Sequence, residues 1–160
     1  MAARLEPSRF EDWVRDRGLR LEVRRFPAGT RTAEDAARAV GCEVGQIVKS
    51  LVFLAGGRPV VALVSGANRL DPARLAEVAG GAVTRADPDS VRRATGYAIG
   101  GVPPFGHAGA LPVFMDADLG RHPVVWAAAG RPDAVFEITP RRLQELSGAR
   151  VVELAARRGS

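Results

Sequence analysis

Apolar residues recur at helical spacing in five segments, each bounded by residues that start or stop helices. Ser8 and Glu11 show the spacing of a capping box ahead of the first segment, which stops at Gly18. Thr32 heads the second segment, which stops at Gly41. The other three start with a capping residue followed by proline, a pairing favoured at helix N-termini. These pairs are Asp71-Pro72, Asp87-Pro88 and Thr139-Pro140, and their helices are expected to end at Gly80, Gly96 and Gly148.

Apolar runs between these helices predict strands. Residues 46–54 and 59–64 flank Gly56-Gly57, which is typical of a β-hairpin. A second hairpin is predicted from 123–128 to 134–138, and shorter strands at 19–26, 82–85, 97–99, 111–115 and 150–154. Hairpins exclude an all-parallel sheet, and interspersed helices exclude a pure β sandwich. We therefore expect one mixed α/β (α+β) domain over residues 1–160, with its core at about 19–155 and a curled, mainly antiparallel mixed sheet surrounded by helices.

The strand predicted at 46–54 carries one unusual residue, Lys49. The side chains of this strand point alternately to two faces. Ile47, Lys49, Leu51 and Phe53 lie on one face, and Val48, Ser50, Val52 and Leu54 lie on the other. Both faces are largely apolar, as in a strand covered on both sides. An ammonium group there costs several kcal/mol unless it is paired or reaches a wet cleft. Lys49 is therefore a candidate functional residue, and snorkelling of its side chain to solvent is the alternative.

Composition narrows the class of protein. The chain has 160 residues, 46% hydrophobic and 26% charged, which fits one globular domain and argues against wholesale disorder. It lacks an apolar run of membrane-spanning length and an apolar secretory signal, so a cytoplasmic protein is the default expectation. One cysteine and two histidines argue against a disulfide framework and a structural zinc site. Nothing in the sequence requires a metal or another cofactor.

The chain has 23 basic and 18 acidic residues, a net charge of +5, and the basic residues divide unequally into 22 arginines and Lys49. Such a balance is compatible with a polyanionic partner such as nucleic acid. The arginines are scattered, however, so a solvated surface without a partner remains the alternative.

A glycine- and proline-rich segment, Gly96 to His107, is the second candidate site. Gly100-Gly101 allow close approach of a ligand to backbone N–H groups, and Pro103-Pro104 stiffen the rest of the segment. Exposed amides in such a loop can hold a carbonyl oxygen or a developing oxyanion. His107 is a candidate substrate contact. A structural turn with a solvated histidine at its end is the alternative.

Other motifs carry less chemistry. Ala127-Ala128-Ala129-Gly130 either leaves room for a ligand or packs tightly. Asp116 is interpreted as a turn or capping residue, and Cys42 as a small buried hydrophobe. Lys49-Ser50 is not a phosphate loop, because valine precedes the lysine and a strand continues after it. No Gly-x-Ser-x-Gly nucleophile elbow is present.

In order and spacing, these segments resemble the YbaK-type family, the prolyl-tRNA-synthetase-associated editing domain in freestanding form. The resemblance runs over roughly residues 20–155 and is most specific at two places, the lysine strand and the Gly-x-x-x-Pro loop from Gly100 to Pro104. Its segments are Thr30, Thr32–Gly41, Gln46–Phe53, Gly96-Tyr97, Gly100–Gly106 and Ala128–Gly130.

The resemblance implies a curled sheet around one pocket and hydrolysis of the ester that joins a wrong amino acid to a tRNA 3′ end. The usual substrate in the family is alanine or cysteine on proline tRNA. Lys49 matches the pocket lysine that holds the terminal nucleotide or the ester region, and Gly100 and Gly101 match the loop whose amides position the carbonyl. The resemblance further implies substrate-binding roles for Val102, Pro103, Pro104, Phe105, Gly106, His107, Ala128 and Gly130.

Three positions depart from the family pattern, and the first two leave the edited amino acid open. Ala128 stands where one branch carries serine, and the turn near Asp133 lacks the histidine or asparagine of other members. Pro103 replaces a residue that is often small and polar. The expected partner is mischarged aminoacyl-tRNA, with an aminoacyl-tRNA synthetase as an open second partner and no membrane. The alternatives are a non-catalytic module that binds a tRNA end or a synthetase, and hydrolysis of a small ester or amide that is not tRNA.

Overall fold

The computed structural model of the chain describes residues 9–26 and 32–156. Within these residues, the α-helices are α1 (Arg9–Asp16), α2 (Ala33–Val40), α3 (Pro72–Ala79), α4 (Pro88–Thr95) and α5 (Pro140–Ser147). The strands are β1 (Val23–Arg25), β2 (Val48–Ala55), β3 (Arg58–Ser65), β4 (Val83–Arg85), β5 (Val113–Asp116), β6 (Val125–Ala128), β7 (Ala134–Ile138) and β8 (Arg150–Val152). Short 3₁₀ helices lie at Val44–Gln46 and Ala117–Arg121.

Helices α2 to α5 begin and end as the capping signals predict. The side chains of Thr32, Asp71, Asp87 and Thr139 each accept a hydrogen bond from a backbone N–H in the first turn. Such a cap contributes about 1 kcal/mol. Each of these helices ends at a glycine with positive φ, a conformation that costs other residues free energy. Ser8, the expected cap of α1, lies outside the described residues.

Two sheets form the framework. The larger has the order β4-β2-β3-β5-β8, in which β3–β5 and β5–β8 are parallel and the other pairs antiparallel. The smaller has the order β1-β7-β6 and is antiparallel. A parallel bridge between Ile47 and Trp126 connects them. The mixed α/β fold, its curled and mainly antiparallel sheet structure and both predicted hairpins are thus confirmed.

Two predicted strands differ from the structure. Strand β1 occupies only Val23–Arg25 of the predicted 19–26, because only three residues of β7 lie opposite it. Residues 97–99 form no strand. Their backbone turns back on α4 instead, since the Tyr97 N–H donates to the hydroxyl of Thr95 at 3.1 Å rather than to a neighbouring strand.

Apolar clusters cover β2 and β3 on both faces, as the sequence predicts. One cluster joins Val48 and Val52 to residues of α1, α4 and α5. The other joins Leu51 and Phe53 to Leu75 of α3. Lys49 belongs to the second face, because it lies opposite Val64, which packs in that cluster. The only lysine of the sequence is therefore held in a pair of strands that has an apolar cluster on each face.

Candidate active site

A cavity opens along one edge of β2, where the two sheets separate. On this edge β4 pairs only with Phe53–Ala55, and the smaller sheet pairs with this segment only at the bridge between Trp126 and Ile47, which directly precedes β2. Residues 49–51 therefore have no strand partner there among the described residues. The gap holds a cavity of about 370 Å³, a volume within the range of small-molecule sites.

The cavity wall is mostly apolar. It is built from the start of α2, strand β2, the β4–α4 connection, the loop that contains Gly100, and the β6–β7 hairpin. Among the described lining residues, the charged or hydroxyl-bearing side chains are those of Thr32, Lys49, Ser50 and Arg85. Arg85 is exposed, and its guanidinium lies 5.7 Å from the ring centroid of Phe53. The site thus combines an apolar interior with two cations.

Lys49 is half-buried at this wall. Its Nζ donates to the backbone oxygen of Asn68 at 2.6 Å, which occupies one of the three N–H donors of the ammonium. Burial lowers the pKa of Lys49, while Glu34 and Asp116 oppose that shift and Arg85 adds to it. Among the described residues, the other two donors have no protein partner and are available to a ligand.

Ser50 presents an unpartnered polar group in the same strand. Its Oγ is buried and makes no hydrogen bond with any described residue. The backbone of Ser50 also faces the gap, because Val52, two residues on, accepts from Ala86 on this edge and alternate residues share an edge. Such an orphaned hydroxyl costs about 1–3 kcal/mol of stability.

The Gly100 loop packs directly against the turn of the β6–β7 hairpin. Gly100 has φ 91° and lines the cavity, as does Val102. A Cβ at Gly101 would lie 2.9 Å from the Cα of Arg131, so only glycine fits this contact. The Gly101 N–H donates to Ala98 O at 3.0 Å. This amide is therefore bonded within the loop and is not free for a substrate.

His107 and the prolines of the loop lie behind the cavity wall rather than in it. Pro103 and Pro104 are buried, and neither they nor His107 line the cavity. Nε2 of His107 lies 2.8 Å from the carbonyl oxygen of Pro103, and this nitrogen must carry the hydrogen because a carbonyl only accepts. Burial lowers the pKa of His107, with the Pro103 hydrogen bond opposing it. The side chain of His107 is thus hydrogen-bonded to the backbone of its own loop.

Phe105 and Gly106 pack the same loop against helix α1. Phe105 packs against Phe10 and Trp13 of α1, with ring centroids 5.5 and 5.4 Å away. A Cβ at Gly106 would lie 3.2 Å from the Trp13 ring, and the Tyr97 hydroxyl donates to Gly106 O at 3.1 Å. Burial raises the pKa of Tyr97 to about 12. Neither Phe105 nor Gly106 lines the cavity.

On the opposite wall, Ala128 lines the cavity and Gly130 does not. Gly130 has φ 88° and turns the chain towards Arg131, whose side chain pairs with Asp133 at 3.1 Å. The structure thus brings together Lys49, Gly100, Val102 and Ala128 of the predicted site.

The described residues contain no group of three or more His, Cys, Asp and Glu side chains that could hold a metal ion. In the same part of the chain, no helix is long and apolar enough to span a membrane.

Residues 27–146 match the model of the aminoacyl-tRNA editing domain. The chain belongs to this family. A crystal structure described as "a putative trans-editing enzyme for prolyl tRNA synthetase" shares 50% identity and a TM-score of 0.87, over 92% of this chain and 95% of that one.

Relatives of this editing domain include freestanding proteins and parts of larger enzymes. YwhH of Bacillus subtilis is 33% identical over 89% of this chain and 88% of its own length. A protein of Enterococcus faecalis, named "Putative Cys-tRNA(Pro)/Cys-tRNA(Cys) deacylase EbsC", is 27% identical over 79% of this chain and 78% of its own. The proline–tRNA ligase of Nitratidesulfovibrio vulgaris (strain DP4) is 35% identical over 57% of this chain, which is 16% of the ligase.

Sequence reasoning missed two residues beside the site of this editing domain, Arg85 and Asn68. Arg85 is one arginine among many, so only its register opposite Phe53 brings it to the cavity. Asn68 lies in the turn after β3, and its contact with Lys49 bridges residues 19 positions apart. The capping interpretation of Asp116 is confirmed, because its side chain accepts from the Asp118 N–H.

Proposed function

We propose that this chain is a trans-editing hydrolase that cleaves the ester of mischarged aminoacyl-tRNA. The observation that carries the proposal is a half-buried ammonium with two unassigned donors, at the wall of a cavity that the Gly100 loop closes. Membership of the editing family supports the reaction class. The cytoplasm, where tRNA is charged, is the proposed location.

Lys49 is the proposed anchor of the substrate. Its free donors fit a phosphate or ribose oxygen of the terminal nucleotide, or the ester itself. The backbone N–H groups of Gly100 and Val102 are the proposed contacts for the carbonyl oxygen, because both residues line the cavity and the Gly101 N–H is bonded to Ala98. One such donor at a developing oxyanion contributes about 2.7–4 kcal/mol of transition-state stabilisation in a known case.

In the proposed reaction, water adds to the carbonyl carbon and the negative charge develops on the carbonyl oxygen. The carbon–oxygen bond to the ribose then breaks, the ribose oxygen takes up the proton that the water loses, and the free amino acid leaves. The proposed roles of the chain are to hold the ester and to stabilise the oxyanion. An aminoacyl ester is already activated, so positioning of this kind supplies much of the acceleration that is needed.

Selection by size is the proposed consequence of the cavity wall. Val48, Val52, Val91 and Val102 narrow an interior of about 370 Å³ that must also admit part of the ribose. A small side chain fits such a space, and a second site that admits only small side chains is a known solution to discrimination by size. We propose alanine or cysteine on proline tRNA, and the cysteine substrate agrees with the name of the Enterococcus relative.

The proposed tRNA contact rests on charge. The chain carries +5, and two arginines without an ion-pair partner among the described residues lie near the cavity: Arg85 in its wall and Arg24, whose guanidinium is 4.9 Å from the ring centroid of Trp126. Arginines bind phosphates with little base readout. Contact with an aminoacyl-tRNA synthetase remains part of the proposal, supported by the related segment of proline–tRNA ligase.

A second candidate is a module that binds charged tRNA without hydrolysing it. It is favoured by the apolar side chain of Ala128 and by the occupied amide of Gly101, which reduce the polar groups available for chemistry.

A panel of mischarged tRNAs tests both candidates. Proline tRNA carrying alanine, cysteine or serine is incubated with wild type, Lys49→Ala and Lys49→Arg, and ester loss is measured against buffer. We expect wild type to deacylate the small amino acids and both variants to lose most of this activity while staying folded. Arg141→Ala is the control, because it removes one charge from an exposed pair on α5. Tight binding without ester loss would favour the binding module, and wild-type rates in Lys49→Ala would exclude the role of Lys49.

A further inference from the structure

Asp116 is a buried carboxylate at the end of β5 that the proposed reaction does not use. It is 1% exposed. Its Oδ2 accepts from the Ser65 N–H at 3.1 Å and from Asn68 Nδ2 at 2.8 Å, and its Oδ1 accepts from the Asp118 N–H at 3.0 Å. A buried charge is costly unless hydrogen bonds offset the loss of water. The cap alone uses one of these three donors, so the carboxylate does more than end a strand.

Asn68 is the residue on which this carboxylate acts. Its two side-chain N–H groups are shared between Asp116 and Asp118, each at 2.8 Å. Its backbone N–H donates to Ser65 O at 2.9 Å and closes the turn. These bonds hold Asn68 at both its side chain and its backbone N–H, and its carbonyl oxygen meets Lys49 Nζ at 2.6 Å.

We propose that Asp116 is a positioning residue that fixes the Lys49 ammonium at the cavity wall by means of Asn68. The catalytic consequence rests on the proposed function of Lys49, whereas the positioning itself does not. The chain of contacts is continuous: carboxylate to amide, amide to its own backbone carbonyl, and carbonyl to ammonium. It links β5 to β2 across the turn after β3, so an ion on one strand determines where a cation on another can reach.

The charge of Asp116 favours the ammonium form of Lys49 and so adds to the effect of the hydrogen-bonded contacts. The charged groups that face Lys49 are Glu34 on α2, Asp116 on β5 and Arg85 on β4. Burial and Arg85 lower the pKa of Lys49, while Glu34 and Asp116 raise it. Removing the charge of Asp116 therefore takes away one of two attractions and should lower the pKa of the lysine further.

The test uses the fact that Lys49 is the only lysine of the chain. Full-length protein is produced with lysine labelled at Cε and Nζ, so that NMR gives one side-chain signal whose titration needs no assignment. Asp116→Asn is compared with Asp118→Asn. Both remove one carboxylate from Asn68. At buried Asp116 both oxygens accept from N–H groups, so an amide nitrogen there would face a donor. The side chain of Asp118 is 38% exposed, so the new amide nitrogen there can be hydrated while its oxygen still accepts. Asn68→Ala is the second variant, which removes the amide and keeps both carboxylates.

We expect Asp116→Asn to lower the pKa of Lys49 and to reduce kcat/KM for mischarged tRNA by about ten- to a hundredfold, the size of effect that misplacement of a contact produces. Asp118→Asn should reduce kcat/KM less than Asp116→Asn does and should leave the pKa of Lys49 closer to that of wild type. Asn68→Ala should displace the lysine signal at neutral pH with a loss of activity similar to that of Asp116→Asn.

An unchanged lysine titration in folded Asp116→Asn would overturn the proposal, as would equal effects of Asp116→Asn and Asp118→Asn. If Asp116→Asn does not fold, a wild-type lysine signal in Asn68→Ala overturns it instead. A wild-type protein that hydrolyses none of the mischarged tRNAs would refute the proposed function, and the lysine titration would still decide whether Asp116 positions Lys49.

Discussion

Gly101→Ala is expected to damage the candidate site by separating its two walls. The Cβ that alanine adds would lie 2.9 Å from Cα, 3.0 Å from N and 3.1 Å from C of Arg131. All three are backbone atoms, so no side-chain rotation relieves the contact. Carbon atoms pack best at about 3.5–4.0 Å. The Gly100 loop and the hairpin turn must therefore move apart by about 0.5–1 Å.

This displacement determines the size of the effect. Overpacking that forces backbone shifts costs about 1–3 kcal/mol. In a domain of this size, each kcal/mol lowers the melting temperature by about 2–4 °C, so the variant should melt about 2–12 °C below wild type. Activity should fall more steeply, by up to about a hundredfold, because misplacement of 1 Å is enough for such a loss.

Thermal unfolding and deacylation of mischarged proline tRNA measure the two effects. Gly109→Ala is the matched control: it lies beyond the same loop, has no atom within 4 Å of the added Cβ and does not have a positive φ. It should be neutral or stabilise by about 0.4–1 kcal/mol through the unfolded chain. Equal melting temperatures and equal kcat/KM for Gly101→Ala and wild type would refute the contact between loop and turn.

Two further predictions concern stability. Burial lowers the pKa of His107 below 6.5, so as pH falls below that value the unfolded chain takes up the proton first and the unfolding free energy should decrease, levelling off below the folded-state pKa. His107→Gln should lose this part of the pH dependence, which urea titrations between pH 7.5 and 5 measure. Parallel curves of unfolding free energy against pH for variant and wild type would contradict the lowered pKa of His107. Ser50→Ala should raise the unfolding free energy by about 1 kcal/mol, because it deletes a buried hydroxyl that lacks a described partner. A lower free energy would mean that the hydroxyl is hydrogen-bonded after all.

Local signals in the sequence predict most of the fold. The caps at Asp71, Asp87 and Thr139 define helix starts because side-chain and backbone atoms within one turn determine them. The hairpin at Gly56-Gly57 is equally local, with φ values of 56° and 82°. The prediction of a strand at 97–99 is wrong for an equally local reason, because the backbone N–H of Tyr97 donates to the Thr95 hydroxyl instead of to a neighbouring strand. Strand prediction rests on the spacing of apolar residues, and this spacing carries no information about such a competing hydrogen bond.

The candidate site is predictable only in part, because its geometry depends on contacts between distant segments. Lys49 is conspicuous as the one lysine, in an apolar strand. Whether a residue of the Gly96–His107 segment faces the cavity or the core is decided by α1, whose Phe10 and Trp13 cover Phe105. Asn68 acts through its backbone carbonyl, an atom that every residue has. The sequence does not show that this carbonyl meets Lys49, because the contact joins residues 19 positions apart.

The gap along β2 has a further consequence for solubility. Unpaired backbone groups on a strand edge are a template on which another chain can add a strand and begin to aggregate. Here the open stretch is only three residues long, and it is recessed between α2 on one side and the Gly100 loop on the other. A strand of a second molecule needs more length and a clear approach, whereas a small ligand needs neither. The unpaired backbone of this stretch is thus accessible to a small ligand but is a poor template for another strand.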